Sequence, residues 1–297
     1  MTADIYISSV AEFIDCILRE HRAGPSLRAT EVSCLNFYRG QANAAWKLSP
    51  RLFRENLLGQ ERALIQELIR IDPASFQGMD YFDQLVKMQH YGLPTRLLDT
   101  TLNPLVALYF ACYEKEQIGE NGIVWVFPRL PVFTPRHRYV LVSMIYSFEI
   151  SGEAVDFERA GELVRSVPRN QYPWDATPEG LMRSCVIGWP NCAVLPNLNN
   201  RRVLNQEGSF LICNMQERHS KKSSQNPKLT FVEARDVHAD LINWSGTFSV
   251  IVPSDRKSHI LDELALIGIH RGRLFPELEH QTENIIRGVR GNGFSAS

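Results

Sequence analysis

Apolar positions in the first 120 residues recur with the period of amphipathic helices. They return every three or four residues over 5–23, 59–72 and 79–92, a spacing that gathers them on one face of an α-helix. The segment 103–116 begins with an Asn-Pro pair, and these residue types favour the cap and the first position of a helix. The pattern therefore predicts a chain whose N-terminal half is mainly helical.

Strand patterns are concentrated later in the chain, with one earlier exception. The stretch VSCLNFYRGQ at 32–41 predicts a strand that runs into a glycine turn. Apolar runs predict buried strands at 121–128 and 245–253, and the segment 192–214 predicts two strands around a polar turn. A further helix is predicted over 254–269. These elements predict an α+β fold in which the helical N-terminal half packs on a mixed or antiparallel sheet.

Composition and charge are those of an ordinary soluble globular protein. Hydrophobic residues make up 44% of the 297 residues and charged residues 22%. The formal net charge is -1, so no global field draws the protein to nucleic acid or to an anionic membrane, and a polyanion site must be a local patch. The N-terminus lacks the basic start of a signal peptide, and no window reaches the roughly 18 apolar residues of a membrane span. We therefore expect no membrane partner.

Cysteines and histidines bear on the cellular compartment and on metal binding. The six cysteines form no CxxC pair, and several lie within apolar runs, which predicts reduced, mostly buried thiols in a cytoplasmic protein. The eight histidines form no HExxH or HxH spacing. The sequence therefore predicts no structural or catalytic metal.

Arg39 stands at the end of the predicted strand 32–41, directly before Gly40 and Gln41. A guanidinium beside a glycine, where a ligand can approach the backbone, suits a bidentate contact with an anion. The alternative is a surface arginine that pairs with a carboxylate such as Asp99. The local sequence leaves both interpretations open.

A second group of polar residues surrounds the Gly-Leu-Pro turn within 89–111. One interpretation is a well-satisfied turn in which Asp99 caps the backbone or pairs with Arg96. The other is the polar floor of a pocket beside the helix that begins near Asn103, whose first N–H groups would favour phosphate. The spacing does not decide between them. The polar residues concerned are His90, Thr95, Arg96, Asp99, Thr101 and Asn103.

Four blocks of the sequence together resemble the FRG domain family, which takes its name from a Phe-Arg-Gly motif. With no repeat and no long linker in the chain, the resemblance implies a single domain over 1–297, with a helical lead-in at 1–30 and an FRG core at 32–287. The blocks are FYRGQ at 37–41 followed by Trp46, Leu48, Pro50 and Arg54; QHYGLPTRLLDTTLNPLVALYFA at 89–111; NQEGSF at 205–210; and KSHILDELALIGIHRGRLFPELE at 257–279.

The motif order of this family is similar to that of the ADP-ribosyltransferase fold, and its members occur in bacterial toxin and phage-defence contexts. The resemblance therefore implies an ADP-ribosyltransferase-like core that uses NAD as a substrate and modifies a protein or nucleic acid. An antitoxin or other neutralising partner protein would control such an effector. The reaction needs an anion clamp for the pyrophosphate and a carboxylate near the ribose. The residues expected to contact NAD are Tyr38, Arg39, Gly40, Gln41, His90, Thr95, Arg96, Asn103 and Gln206.

The catalytic carboxylate is assigned from the alternation of a strand through NQEGSF. Alternate side chains share a face, so Gln206 and Glu207 cannot both point into a cleft without a bulge. Glu207 is the first choice for the acid if a bulge at Gly208 re-aims the strand. Without a bulge, Gln206 binds the ribose and Asp99 is the next carboxylate in line. Arg39 completes the predicted catalytic set.

Two other functions remain open on the sequence. One is a non-catalytic module that binds a nucleotide or nucleic acid, which the basic segments 218–228 and 135–139 favour. The other is a hydrolase of nucleotides or nucleic acid with His90 as its base. No paired carboxylates and no metal-ligand spacing accompany that histidine, which makes the hydrolase the weaker of the two.

Overall fold

A computed structural model of the protein describes residues 5–23, 34–165, 177–188, 191–197, 200–218 and 229–276. The strands in these ranges are β1 (Ile5–Tyr6), β2 (Cys34–Gln41), β3 (Leu97–Thr101), β4 (Gly122–Phe133), β5 (Ala154–Asp156), β6 (Asn191–Val194), β7 (Gly208–Cys213), β8 (Met215–Glu217), β9 (Leu229–Ala234) and β10 (Phe248–Val252). The α-helices are α1 (Val10–Ala23), α2 (Arg51–Arg54), α3 (Glu61–Ile71), α4 (Tyr81–His90), α5 (Pro104–Cys112), α6 (Arg138–Ile145), α7 (Phe157–Glu162), α8 (Pro178–Arg183), α9 (Arg201–Asn205), α10 (Val237–Ile242), α11 (Lys257–Leu266) and α12 (Arg271–Leu274).

The larger sheet has seven strands in the order β1-β10-β4-β2-β3-β7-β6, and β4 also pairs with β6. This additional pairing joins Val132 to Ala193 and Phe133 to Val194 in parallel register, so β4, β2, β3, β7 and β6 close into a five-stranded barrel. β1 and β10 are parallel, whereas the other neighbours are antiparallel. A second sheet has the order β5-β9-β8. The predicted α+β class with a mixed sheet is confirmed.

Two apolar cores lie on the two faces of the central strands. Phe37 of β2 and Phe127 of β4 belong to the larger core, whereas their neighbours Tyr38 and Val126 belong to the smaller core. Successive strand residues point to opposite faces, so β2 and β4 form a wall between the cores. The larger core also contains side chains of α3, α4 and α6, and the smaller core those of α1, α5 and α11.

The helix α5 packs closely on the barrel because two strand residues lack a side chain. A Cβ at Gly40 would stand 1.8 Å from the carbonyl oxygen of Ala107, and a Cβ at Gly122 would stand 2.1 Å from that of Ala111. The sequence predicted that Gly40 lets a ligand approach the backbone. On the side where a Cβ would stand, the backbone of α5 makes the close approach, so helix packing also requires this glycine.

Three local expectations differ from the structure. The segment 95–103, expected as a turn or pocket floor, contains β3, which pairs with β7 from Leu97 to Thr101. The polar turn expected within 192–214 contains α9, and the helix expected over 103–116 ends at Cys112. β3 forms because its backbone pairs with β7, which lies more than 100 residues away in the chain. A local sequence pattern does not predict such a distant partner. Residues 24–30 of the lead-in, 219–228 of the basic loop and 277–287 of the predicted core lie outside the described residues.

Candidate functional site

A cleft of about 300 Å³ lies over the line where β2 and β3 separate. The two strands pair at Tyr38 and Thr101, and within the described ranges this is their single register pair. Immediately beyond it, Nη1 of Arg39 donates a hydrogen bond of 2.6 Å to the backbone carbonyl of Asp99. A side chain thus bridges the strands where the backbone ladder stops. The walls of the cleft come from the ends of β2 and β3, the start of β7, and residues of α4, α5 and α9.

Arg39 is half-buried at the inner wall of the cleft. Its Nε is buried and has no hydrogen-bond partner among the residues that the structure describes. Burial lowers the pKa of the guanidinium, the charge of Asp99 raises it and the charge of Arg54 lowers it. A buried donor without an acceptor costs about 1–3 kcal/mol. Because Nε has almost no accessible surface, an anion in the cleft would meet the rest of this half-buried guanidinium and would reach Nε only after the side chain rotates.

A chain of side-chain hydrogen bonds holds the carboxylate of Asp99. The hydroxyl of Thr95 donates to the side-chain carbonyl of Gln89, and the amide of Gln89 donates to Oδ1 of Asp99 at 2.7 Å. Asp99 is the exposed residue of the otherwise buried β3, and it lines the cleft together with Gln89. Thr95 is buried and does not line the cleft, so it acts on Asp99 through Gln89.

Several cleft residues were not among the predicted contacts. Trp46 keeps 39% of its surface exposed, Arg202 packs over the ring of Phe275 at 4.8 Å, and burial raises the pKa of Glu114. Gln89 opens the long motif 89–111 and could have been found there. The sequence around Glu114 and Arg202 does not indicate a binding site. Only the packing of α5 and α9 brings these two residues to the cleft.

Opposite charges and an aromatic surface share the cleft. Its cations are Arg39 and Arg202, its carboxylates are Asp99 and Glu114, and Trp46 offers an exposed ring beside them. Such a lining suits a ligand that has an anionic part, a cationic or positively polarised part and a flat ring.

Arg96 lies away from the cleft, although it was predicted to contact NAD. Its side chain is 0% exposed and forms two hydrogen bonds with Glu61, which is 1% exposed. Its guanidinium also lies over the ring of Tyr146, 5.3 Å from the centroid. The buried carboxylate of Glu61 neutralises this arginine, so Arg96 serves the core. The alternative pairing of Arg96 with Asp99 is not formed either.

Asn103 caps α5 and does not line the cleft. Its side-chain oxygen accepts from the backbone N–H of Leu105 at 2.9 Å and of Val106 at 3.4 Å. Its amide donates to Oε1 of Glu207 at 2.8 Å. The first N–H groups of α5 are thus occupied, which corrects the expectation that they are available to a phosphate.

Glu207 also lies outside the lining of the cleft. It precedes β7 and adopts a φ of 45°, in the left-handed region. β7 pairs with β3 without a register shift from Gly208 to Ile212, so the strand has no bulge at Gly208. For a strand without a bulge, the sequence predicted Asp99 as the candidate catalytic carboxylate and Gln206 as the residue that binds the ribose. This second choice therefore remains the prediction.

Gln206 follows α9 and reaches the cleft from its end. The side-chain amide donates to the carbonyl of Leu274 at 3.0 Å, and the backbone carbonyl accepts from the hydroxyl of Thr101 at 2.7 Å. These contacts tie α9 to β3 and α12. The predicted NAD contacts that line the cleft are Tyr38, Arg39, Gly40, Gln41, His90 and Gln206.

Three of these residues have internal partners that fix their orientation. The side-chain oxygen of Gln41 accepts from Nε1 of Trp125 at 2.9 Å. Tyr38 is buried, and burial raises the pKa of its hydroxyl. His90 is the last residue of α4, and its ring packs edge-on against Tyr91 with centroids 5.4 Å apart.

The basic segment 135–139 is mostly internal. Arg138 is buried at 4% exposure, and Nδ1 of His137 accepts from the backbone N–H of Tyr139 at 3.3 Å as the cap of α6. Arg136 remains exposed. One exposed arginine does not make a nucleic-acid surface, so this segment no longer supports that function.

Metal and membrane features were assessed over the described ranges. There, no group of three or more His, Cys, Asp or Glu side chains could hold a metal ion. No helix of these ranges combines the length and the apolar character needed to cross a membrane. All six cysteines are free, and all but Cys34 are buried.

Comparison with known proteins gives one match. Neither the curated proteins nor the solved structures include a match to this chain. The family match covers β2, β3, α4 and α5, and so includes Arg39, Gln89 and Asp99, whereas the cleft residues of α9 and β7 lie beyond it. Residues 35–119 match the model of the FRG domain, so this part of the chain is similar to that family.

Proposed function

We propose that the cleft binds NAD and that the protein transfers ADP-ribose from it to a protein or nucleic-acid acceptor. The observation that carries this proposal is the half-buried Arg39 beside Asp99 in the lining of one cleft. NAD has an anionic pyrophosphate, a cationic nicotinamide and flat rings. It would place the pyrophosphate on Arg39, the cationic ring near the carboxylates, and a ring against Trp46.

In the proposed reaction, the bond between ribose C1′ and the nicotinamide nitrogen breaks. Its electron pair leaves with nicotinamide, which becomes neutral, and an acceptor oxygen or nitrogen bonds to C1′ and releases a proton. The ribose passes through an oxocarbenium-like state, which the carboxylate of Asp99 stabilises while Arg39 holds the pyrophosphate. Gln89 is a positioning residue, because it orients Asp99. The order of Arg39 on β2, the β3–α5 unit and β7 supports an ADP-ribosyltransferase-like core.

The proposal extends to the biological role. We propose a cytoplasmic toxin or phage-defence effector whose activity a neutralising partner protein controls. This role is what the resemblance to the FRG family implies, and residues 35–119 match the model of that domain. The acceptor is a protein or a nucleic acid that reaches the cleft after NAD has bound.

The test is to incubate the purified protein with NAD and a bacterial lysate. Free nicotinamide is measured, and proteins and RNA are searched for added ADP-ribose by mass spectrometry. We expect Asp99→Asn to lower nicotinamide release by about 100- to 1,000-fold, as loss of one preorganised electrostatic group does in other enzymes. Glu207→Gln is the matched control, and it should keep the wild-type rate because Glu207 lies outside the cleft.

The same assay distinguishes the two interpretations of Arg39, an anion clamp and an arginine that only forms an ion pair. Arg39→Lys should lose nearly as much activity as Arg39→Ala, because an ammonium group cannot reproduce the planar fork of a guanidinium. A fully active lysine variant would contradict the anion clamp. An inactive Glu207→Gln beside an active Asp99→Asn would move the acid to Glu207.

One observation favours a second function, the binding of a nucleotide without turnover. The carboxylate that the motif order offers first, Glu207, is bound to Asn103 outside the cleft. Without this carboxylate, the cleft still has Arg39, Arg202 and Trp46, which could bind the phosphates and a ring of a nucleotide. Saturable NAD binding without any nicotinamide release by the wild-type protein would support this second function and contradict the first.

A further inference from the structure

A smaller hollow of about 160 Å³ adjoins the cleft on the other side of Arg39. It lies between α2, the turn after α4, and β3. Arg39, Gln89 and Asp99 line both spaces, so the hollow and the cleft share a wall. Two further arginines, Arg51 and Arg54, line the hollow only. We call this space the arginine hollow.

The two outer arginines are held by local contacts that leave donors available. Arg51 donates from Nε to Glu55 at 2.5 Å and from Nη1 to the carbonyl of Gly92 at 2.8 Å. Arg54 donates from Nη1 to the carbonyl of Ser49 at 2.7 Å. A guanidinium carries five N–H donors. Both side chains are therefore oriented by the protein without being saturated by the partners described.

The charge around the hollow is predominantly positive. Of its lining residues, three are arginines and Asp99 is the one acid. The Asp99 carboxylate is already bound by the amide of Gln89, and Glu55 is paired with Arg51. The positive charge of Arg54 lowers the pKa of Arg39, which reflects repulsion between neighbouring cations. A multivalent anion between these arginines would relieve this repulsion.

We propose that the arginine hollow is a subsite for the diphosphate of a nucleotide whose ring occupies the cleft. Arg39 stands on the shared wall and contacts the diphosphate from the cleft side. Arg54 and Arg51 bind its outer oxygens. The inference deepens the proposed function and rests on the cleft accepting a nucleotide, of which NAD is one.

The test uses isothermal titration calorimetry with inorganic pyrophosphate, ADP and adenosine. Pyrophosphate and ADP should bind the wild-type protein. Arg54→Gln should weaken both by about tenfold or more, because it removes a charge-assisted contact. Adenosine has no phosphate, so its affinity should not change. Arg51→Gln is a second variant that gives the same pattern if Arg54→Gln lowers the melting temperature.

Arg70→Gln is the matched control. Arg70 is an exposed arginine of α3 that pairs with Glu67 at 2.6 Å, and it lines neither space. It should leave all three affinities unchanged. The inference is overturned if pyrophosphate does not bind the wild-type protein, if Arg54→Gln and Arg51→Gln bind it as the wild type does, or if Arg70→Gln weakens it equally.

Nicotinamide release separates this inference from the proposed function. If Arg54→Gln weakens pyrophosphate binding but the wild-type protein releases no nicotinamide from NAD, the subsite is supported and the transferase activity is contradicted. If the protein releases nicotinamide but the Arg51 and Arg54 variants bind pyrophosphate as the wild type does, the transferase activity is supported and the subsite is contradicted.

Discussion

Arg39 and Arg96 differ in their surroundings and not in their chemistry. Arg39 follows an apolar strand and Arg96 a polar turn, and both were predicted to contact NAD. Arg96 is fully buried and meets the carboxylate of Glu61 through two hydrogen bonds, whereas Arg39 lines the cleft and meets a backbone carbonyl. The partner of each guanidinium therefore decides whether it stabilises the core or can bind a ligand.

Removal of Arg96 should destabilise the protein strongly. Arg96→Met leaves the carboxylate of Glu61 buried without its partner, and breaking a buried pair in this way costs about 3–5 kcal/mol. The double variant Glu61→Leu/Arg96→Met should recover most of this loss, because no buried charge remains. The free energy of unfolding is measured by urea denaturation.

The control is Arg70→Met, which makes the same chemical change at an exposed pair. Arg70 and Glu67 are more than half exposed, and such pairs contribute about 0–1 kcal/mol. An Arg96→Met variant that unfolds at the wild-type urea concentration would show that Glu61 finds another partner or takes up a proton at low cost.

β3 and α5 act together to position the site. β3 presents Asp99 between buried neighbours, and Asn103 then caps α5 directly after the strand. α5 returns across β2 and carries Phe110 and the following Glu114 to the cleft. A shift of α5 would therefore move one wall of the cleft relative to Arg39.

Gly40→Ala should test how closely α5 must pack on β2. The added Cβ would stand 1.8 Å from the carbonyl oxygen of Ala107, so α5 has to move. Overpacking of this kind typically costs about 1–3 kcal/mol and sometimes more. We expect a lower melting temperature, together with weaker ligand binding in the cleft. Circular dichroism and calorimetry provide the two measurements.

Gly59→Ala is the matched control for this change. A Cβ at Gly59 meets its nearest atom, Cγ of Glu153, at 4.0 Å, which is ordinary contact. This variant should keep the wild-type melting temperature. Equal effects of the two substitutions would mean that the loss of glycine flexibility, and not the contact with α5, determines the result.

The cleft belongs to the barrel and not to any one segment of the chain. Arg39, Asp99 and Ser209 lie on β2, β3 and β7, which are distant in the chain and adjacent in the sheet. The two apolar cores share β2 and β4 as their common wall. Loss of either core should therefore unfold the other.

Core substitutions on the two faces should shift one common transition. Phe13 lies in the smaller core and Phe82 in the larger one, and both are almost fully buried. Phe13→Ala and Phe82→Ala should each lower stability by about 3–5 kcal/mol. Differential scanning calorimetry should give a single transition in both variants, with equal calorimetric and van't Hoff enthalpies. Two transitions, of which each variant shifts only one, would divide the chain into two independent units.

Local spacing was sufficient for the main elements and for part of the site. The apolar period predicted α1, α3 and α4 near their observed bounds, and apolar runs predicted β4 and β10, because these patterns reflect burial of one face or of a whole segment. The Asn-Pro pair predicted the start of α5. The strand end at Arg39 and the motif around Asp99 also indicated groups that now line one cleft. Their chemistry is visible in the residue types themselves.

Partners distant in the chain determined the rest. β3 forms because β7 pairs with it, and the hydroxyls of Thr100 and Ser209 meet across that pair at 2.8 Å. Arg96 is withdrawn from the cleft by Glu61, 35 residues earlier, and Glu207 by Asn103, 104 residues earlier. A hydrogen bond or ion pair depends on distances of a few ångströms between side chains. Such distances between residues remote in the chain exist only in the folded protein. The polar residues of one motif can therefore be assigned to the core or to the cleft only from the tertiary structure.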